Sequence, residues 1–279
     1  MKSFPFTTSA LALGLALFVP TVLRAQDHGH LNAGALSKGQ GAPLYFANGP
    51  DFIATSGYVK TLAFTNAGRF AGYYQQNITL TALPVTALNF GPDPNAAALG
   101  SFLQFSLSCL EGPDGGSFGF WDVGSVAPSL SLAPGQVSTS LWRVSEGDGL
   151  PGSDPFGHIH GRRFTATKPG FYKVGFTLFD TSTNGAGGGE IHTPSAEFPV
   201  YFQAGVNVHS IEPDEDHTHI RFPAPVGNTW QVEACDSLTT NTVWTAVGNP
   251  VVGNDYLHEV EDDEAVQGNR FYRLRGTAP

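Results

Sequence analysis

The chain has 279 residues with 14 basic and 24 acidic side chains, which gives a net charge of −10. Nucleic acids and anionic membranes bind proteins that present basic patches, so this charge excludes them as expected partners. Glycine (34), proline (20) and phenylalanine (21) are abundant, while methionine occurs once. Short apolar runs separated by Gly and Pro are typical of strands joined by turns, and we predict an all-β protein.

Residues 1–25 have the pattern of a secretory signal peptide. Lys2 supplies a positive start, residues 9–18 form an apolar core, and Ala25 is a small residue at the expected cleavage site. The apolar run is too short to anchor the chain across a membrane. We therefore predict an exported protein without a transmembrane anchor, located in the periplasm, in the medium or at the cell surface.

Residues 26–205 are predicted to form a β-sandwich domain. In residues 170–179, apolar side chains recur at every second position, as in a strand with one buried face. The Gly-rich segment 182–189 predicts a turn that leads back into a further strand. The predicted strands are residues 44–46, 58–64, 77–83, 102–109, 117–122, 170–179 and 197–203.

Residues 206–279 carry strand signals at 220–222, 229–234, 243–247 and 270–274, which predict a second, smaller β-sandwich. Its segments WQVEACDSLT (230–239), WTAVG (244–248) and GNRFYRL (268–274) resemble an immunoglobulin-like module of secreted bacterial proteins. The resemblance implies a spacer or accessory role.

Cys109 and Cys235 fall in different predicted domains, so we expect two separate buried thiols, although export also permits a disulfide.

Six of the nine histidines lie in three His-x-His pairs, namely His28/His30, His158/His160 and His217/His219. A random arrangement would give fewer than one such pair. Residues i and i+2 of a β-strand face the same side, so each pair presents two neighbouring imidazoles. Imidazole nitrogens are ligands for Zn²⁺ and Cu²⁺.

We predict one metal site in the first domain, for Zn²⁺ or alternatively Cu²⁺, with candidate ligands His28, His30, His158, His160 and His192. His158 and His160 precede the strand at 170–179. His192 follows the Gly-rich turn, so an antiparallel return would bring it back to the same sheet. His28 and His30 would lie on a first strand alongside. The competing interpretation for each of these residues is an ordinary surface histidine. It applies most to His28, because chain ends are often disordered.

The pair His217/His219 follows Asp214, Glu215 and Asp216. This composition favours a solvated acidic loop, with a weak second metal site as the alternative. His209 and His258 occur singly, and we expect them to have no special role.

The segment FGHIHGRRFTATKPGFYKVGF (156–176), with residues 191–195 and 201–205, resembles a bacterial surface-protein family repressed by the zinc-uptake regulator. Members often carry a PEP-CTERM tail, which residues 275–279 do not resemble. Wall-anchored domains of zinc-transport systems share the same HxH…F…PGxY core. The resemblance implies His30, His158, His160 and His192 as metal ligands. It implies a zinc importer or a cell-surface component as partner.

We therefore predict an exported, non-catalytic zinc-binding protein that scavenges, stores or delivers zinc. One alternative is a metalloenzyme. A cupin-like oxygenase would place Glu four or five residues after the second His, where this chain has Phe164 and Thr165. A zinc hydrolase would need a general base, for which Glu190 is the nearby candidate. The other alternative is a structural or adhesive β-protein with incidental histidines.

Overall fold

The structure is a computed structural model that describes residues 29–86, 91–206, 208–225, 228–239, 242–254, 256–264 and 269–277. The predicted signal peptide and the candidate ligand His28 lie outside these residues. The described part is nearly all β, so the predicted all-β sandwich-type fold is confirmed. None of its helices is long and apolar enough to cross a membrane.

Fourteen strands of the described chain form what we term the N-terminal unit. They are β1 (His30–Ala35), β2 (Leu44–Phe46), β3 (Lys60–Thr65), β4 (Tyr73–Gln76), β5 (Thr79–Ala82), β6 (Leu103–Glu111), β7 (Phe118–Trp121), β8 (Leu130–Leu132), β9 (Gln136–Val137), β10 (Trp142–Arg143), β11 (Gly157–His158), β12 (Arg163–Ala166), β13 (Gly170–Asp180) and β14 (Phe198–Ala204). Short 3-10 helices cover Gly49–Phe52, Ala54–Ser56, Gly68–Phe70 and Ala186–Gly188.

Six further strands form what we term the C-terminal unit. They are β15 (Ser210–Pro213), β16 (Thr218–Ala224), β17 (Thr229–Cys235), β18 (Thr245–Val252), β19 (Tyr256–Asp262) and β20 (Phe271–Thr277). They pair as two three-stranded sheets, in the orders β15-β16-β19 and β18-β17-β20. A separate core between them contains Ile220, Phe222 and Val232.

The N-terminal unit has a small sheet in the order β11-β5-β1-β2 and a large ten-stranded sheet in which β13 lies between β6 and β14. The residues of β13 that the period-two pattern assigned to the core, Tyr172, Val174, Phe176 and Leu178, are fully buried. From the small sheet, Leu31 joins the same core. The small sheet therefore has one face fixed against the large sheet by apolar burial.

The two units touch at a few points. The backbones of Tyr58 and Tyr256 form an isolated bridge, and the ring of Phe171 packs edge-on against that of His209 at a centroid distance of 4.4 Å.

Cys109 and Cys235 are both buried and unpaired. Burial raises the pKa of the Cys109 thiol to about 11, so this thiol is unreactive at neutral pH.

Candidate metal centre

The outer face of the small sheet carries the histidines. Strand β1 alternates, with Leu31 and Ala33 in the core and His30 turned to the other side. Parallel pairing of β1 with β5 and antiparallel pairing of β11 with β5 set His158 opposite Thr81. Two histidines that are far apart in the chain thereby lie on either side of one threonine.

Thr81 joins the two imidazoles. Its Oγ1 lies 3.0 Å from Nδ1 of His30 and 3.1 Å from Nδ1 of His158. The two rings stack with centroids 4.6 Å apart and an angle of 16° between their planes. The ring of His160 packs edge-on against His158 with centroids 4.3 Å apart. Three imidazoles from two separate segments of the chain are therefore contiguous, and His160 is exposed to solvent at the outer end of the row.

This arrangement suits a metal that binds through Nε2. In metal sites the nitrogen opposite the metal donates its hydrogen to an oxygen acceptor, and the Thr81 hydroxyl occupies that position for both His30 and His158. Ligand nitrogens around a tetrahedral Zn²⁺ are about 3.3 Å apart, because each bond is 2.0–2.1 Å long. The ligand nitrogens of His30, His158 and His160 do not all lie within 4.8 Å of one another, so at least one ring must rotate before the three can share one ion.

A pocket of about 280 Å³ opens beside the stacked rings. It is lined by His30, His158, Thr81, Asn32 and Asp93, among others. The Asp93 carboxylate accepts a 2.8 Å hydrogen bond from the backbone N–H of Asn95, which keeps the acid at the rim of the pocket. The pocket thus combines imidazole nitrogens with a carboxylate, the donors that a divalent metal or its bound water requires.

A second carboxylate holds the segment that leads into β11. Asp154 accepts hydrogen bonds from the backbone N–H groups of Val85, Thr86 and Phe156 and from the Thr86 hydroxyl. Burial alone would raise the pKa of the Asp154 carboxyl, but these hydrogen bonds together lower it below its ordinary value. Asp154 therefore links the loop after β5 to the residues just before His158.

His192 does not join the other histidines. Its side chain is fully buried, with Nδ1 3.0 Å from the carbonyl oxygen of Ala42 and Nε2 accepting a 2.9 Å hydrogen bond from the N–H of Ala98. Because a carbonyl only accepts, Nδ1 carries the hydrogen and the ring is neutral. Ala42, the partner of His192, lies two residues before Leu44, and Leu44 pairs with Ala35 at the C-terminal end of β1. His30 is at the N-terminal end of β1, so His192 lies at the opposite end of this strand.

The predicted return of His192 to the other candidates is therefore wrong, and its position is that of a core hydrogen-bonding residue. Glu190, the base considered for a hydrolase, precedes it in the same segment. No motif in the sequence marked Thr81 or Asp93 as a site residue. The run at 77–83 predicted a strand, but which histidines would flank it depended on strand pairing.

The pair His217/His219 separates into two different environments. His217 approaches Asp263, with Nδ1 3.4 Å from a carboxylate oxygen, whereas His219 lies among Asp214, Glu259 and Glu261. This cluster belongs to the C-terminal unit.

A comparison of this chain with protein-family models, with curated proteins and with solved structures found no match. The two resemblances therefore remain predictions that rest on the motifs quoted above.

Proposed function

We propose that this is an exported zinc-binding protein whose N-terminal unit holds one Zn²⁺ through His30, His158 and His160. The observation that carries the proposal is the contiguous row of three imidazoles, two of which share the Thr81 hydroxyl through Nδ1. Three histidines form a common zinc ligand set, with a fourth position open to water or to another ligand. In this chain Thr81 orients the second nitrogen of two of them, His30 and His158.

Exposure of the site favours transfer of the metal over permanent storage. His160 is exposed, and His30 and His158 are half-buried at the mouth of the pocket. A ligand at the protein surface can be replaced by a ligand from another protein without unfolding of the sheet. We propose that the protein scavenges zinc outside the cytoplasm and delivers it to an importer or a cell-surface component.

Zinc-dependent hydrolysis is a second candidate, which Asp93 favours. Three histidines and a bound water are also a catalytic zinc set, and Asp93, which lines the same pocket as His30 and His158, would be the candidate base for that water. Turnover of an ester substrate that requires zinc and is lost in Asp93→Asn would support this candidate. Zinc binding without such turnover supports binding and delivery.

The test of the main proposal is metal analysis of the full chain purified without a histidine tag. We expect zinc at the wild-type site to be lost in the double variant His158→Ala/His160→Ala. The variant His209→Ala/His258→Ala removes two single histidines and serves as the control that retains this zinc. Equal zinc content in the double variant and in the wild type contradicts the proposal. Copper found in place of zinc would show that the physiological metal of this site is copper.

A further inference from the structure

The exposed face of the sheet β15-β16-β19 carries a second group of metal-ligand side chains. In the pairing of β16 with β19, His219 lies opposite Glu261 and Arg221 lies opposite Glu259. Because alternate residues share a face, these four side chains project from the same side of the sheet. The arrangement is independent of the N-terminal metal centre.

One ligand atom from each of His219, Glu259 and Glu261 lies within 4.8 Å of the other two, and no other such trio of His, Cys, Asp or Glu occurs among the described residues. Nδ1 of His219 is 3.1 Å from Oε1 of Glu259 and 3.8 Å from Oε1 of Glu261. Ligand atoms around a tetrahedral zinc ion are about 3.3 Å apart. The observed separations lie on either side of that value. The 3.1 Å contact is a hydrogen bond from His219 to Glu259, so an ion would take the place of the Nδ1 proton, which is released on binding.

Outer contacts orient two of these ligands. Nε2 of His219, the nitrogen that faces away from the two glutamates, lies 3.0 Å from Oδ2 of Asp214. Asp214 is itself held by the backbone N–H groups of Asp216 and His217. A carboxylate behind a histidine that ligates a metal is a recurrent feature of zinc sites, since it fixes the ring and increases its basicity.

The second oriented ligand is Glu259. Its Oε2 accepts a 2.5 Å hydrogen bond from Nε of Arg221, so Oε1 is the oxygen that faces His219. Arg221 also forms an ion pair with Glu212. Its positive charge offsets part of the negative charge of the carboxylates on this face. The cluster thus contains a mixed nitrogen and oxygen ligand set together with the residues that would position it.

We propose that His219, Glu259 and Glu261 form a second divalent-metal site of the zinc class, with Asp214 and Arg221 as positioning residues. One imidazole and two carboxylates suit Zn²⁺ and exclude the soft ions that require thiolates. The side chains of His219, Glu259 and Glu261 are 22%, 36% and 53% exposed, so the ion exchanges readily with solvent. The site is therefore weaker than one in a closed pocket.

The test uses the full chain carrying His158→Ala/His160→Ala, so that failure of the N-terminal site cannot affect the result. Zn²⁺ binding is measured by calorimetry, and Co²⁺ is added as a spectroscopic probe of the ligand set. We expect one Zn²⁺ per chain and Co²⁺ absorption typical of nitrogen and oxygen ligands. His219→Gln and Glu261→Gln should abolish both signals, and Asp214→Asn should weaken binding about 10- to 100-fold.

Glu215→Gln is the matched control. It removes one acidic charge from the loop that contains Asp214, and Glu215 is outside the proposed ligand set. It should leave the affinity within about twofold of the parent. Absence of binding in the parent overturns the proposal. So does an equal loss in Glu215→Gln and Glu261→Gln, which would show attraction of cations by net charge alone. Melting temperatures in chelator establish that each variant is folded.

Discussion

Thr81 and His192 show at the residue scale how a polar side chain acquires its role from what surrounds it. Thr81 is buried beneath two imidazoles and offers one hydroxyl to both. His192 is buried among backbone groups and uses both ring nitrogens to satisfy them. One residue therefore positions candidate ligands, and the other stabilises the fold.

Replacement of Thr81 by Val should weaken zinc binding to the N-terminal site by about 10- to 100-fold, because both imidazoles lose the oxygen that orients them. Thr81→Ser keeps the hydroxyl and should bind zinc within a few-fold of the wild type. Calorimetric titration of the two variants measures the difference. Equal affinities for the Val and Ser variants would contradict a positioning role for Thr81.

Replacement of His192 by Ala should lower the free energy of unfolding by about 2–5 kcal/mol, because the partly buried N–H of Ala98 and the partly buried carbonyl of Ala42 both lose their partner. The zinc content per folded chain should not change. Urea denaturation and metal analysis of the same preparation test both statements. Loss of zinc with unchanged stability would instead identify His192 as a ligand.

At the element scale, β11 is a strand of two residues whose position depends on its neighbours. A side chain at Gly157 would collide with the backbone of Val144, Ser145 and Glu146, so only glycine permits this approach. His158 follows directly and also receives support from Glu146, whose carboxylate accepts a 3.2 Å hydrogen bond from the His158 N–H. The placement of the histidine thus rests on backbone packing.

Gly157→Ala should destabilise the N-terminal unit by about 1–3 kcal/mol, because β11 must shift to relieve the clash with residues 144–146. It should also weaken zinc binding, because the shift changes the pairing of β11 with the strand that carries Thr81. The control is Gly39→Ala, where an added Cβ would meet only the hydroxyl of Ser37. Denaturation curves and zinc titrations of both variants provide the measurement. A Gly157→Ala protein that matches the control in both would disprove the packing argument.

The hydrogen bonds of Asp154 predict a pH dependence. Its carboxyl has a lowered pKa in the folded protein, so its contribution to stability is present above the unfolded pKa near 4 and is lost as the pH falls through the lower folded value. Asp154→Asn should be less stable than the wild type at pH 7, and the difference should shrink below about pH 4. Urea unfolding at a series of pH values tests this. A difference that grows in acid would contradict the assignment.

Strands with alternating apolar residues were predicted from the sequence more successfully than polar or two-residue strands. The segments at 44–46, 102–109 and 170–179 correspond to observed strands because their apolar residues face a core at period two. The polar β4 and the two-residue strands β9, β10 and β11 gave no usable pattern. The predicted segments at 220–222 and 229–234 lie within β16 and β17, whereas β19 was not predicted.

At the scale of the whole molecule, two hydrophobic cores are joined by few contacts. One core fills the space between the two sheets of the N-terminal unit, and the other lies within the C-terminal unit. Zinc bound to the outer face of the small sheet is therefore expected to stabilise the N-terminal unit against unfolding without a large effect on the other core.

Zinc at about 100 times its dissociation constant should add about 2.7 kcal/mol to the stability of the N-terminal unit. For a unit of this size that corresponds to a rise in melting temperature of roughly 5–10 °C. Differential scanning calorimetry with zinc and with chelator measures the shift. The variant His158→Ala/His160→Ala should show no shift in this transition, and an undiminished shift would place the stabilising ion elsewhere.

The sequence by itself determined the all-β class, because that follows from local period-two geometry and turn residues. It also placed His158 and His160 close together in the chain, although β11 ends at His158 and only the contact of the two rings is observed. Only the tertiary structure decided which histidines meet. His30 and His158 flank Thr81 because β1 and β11 both pair with β5, whereas His192 is turned into the core. Strand pairing depends on how apolar faces pack over the whole unit, and the spacing of residues along the chain does not specify it.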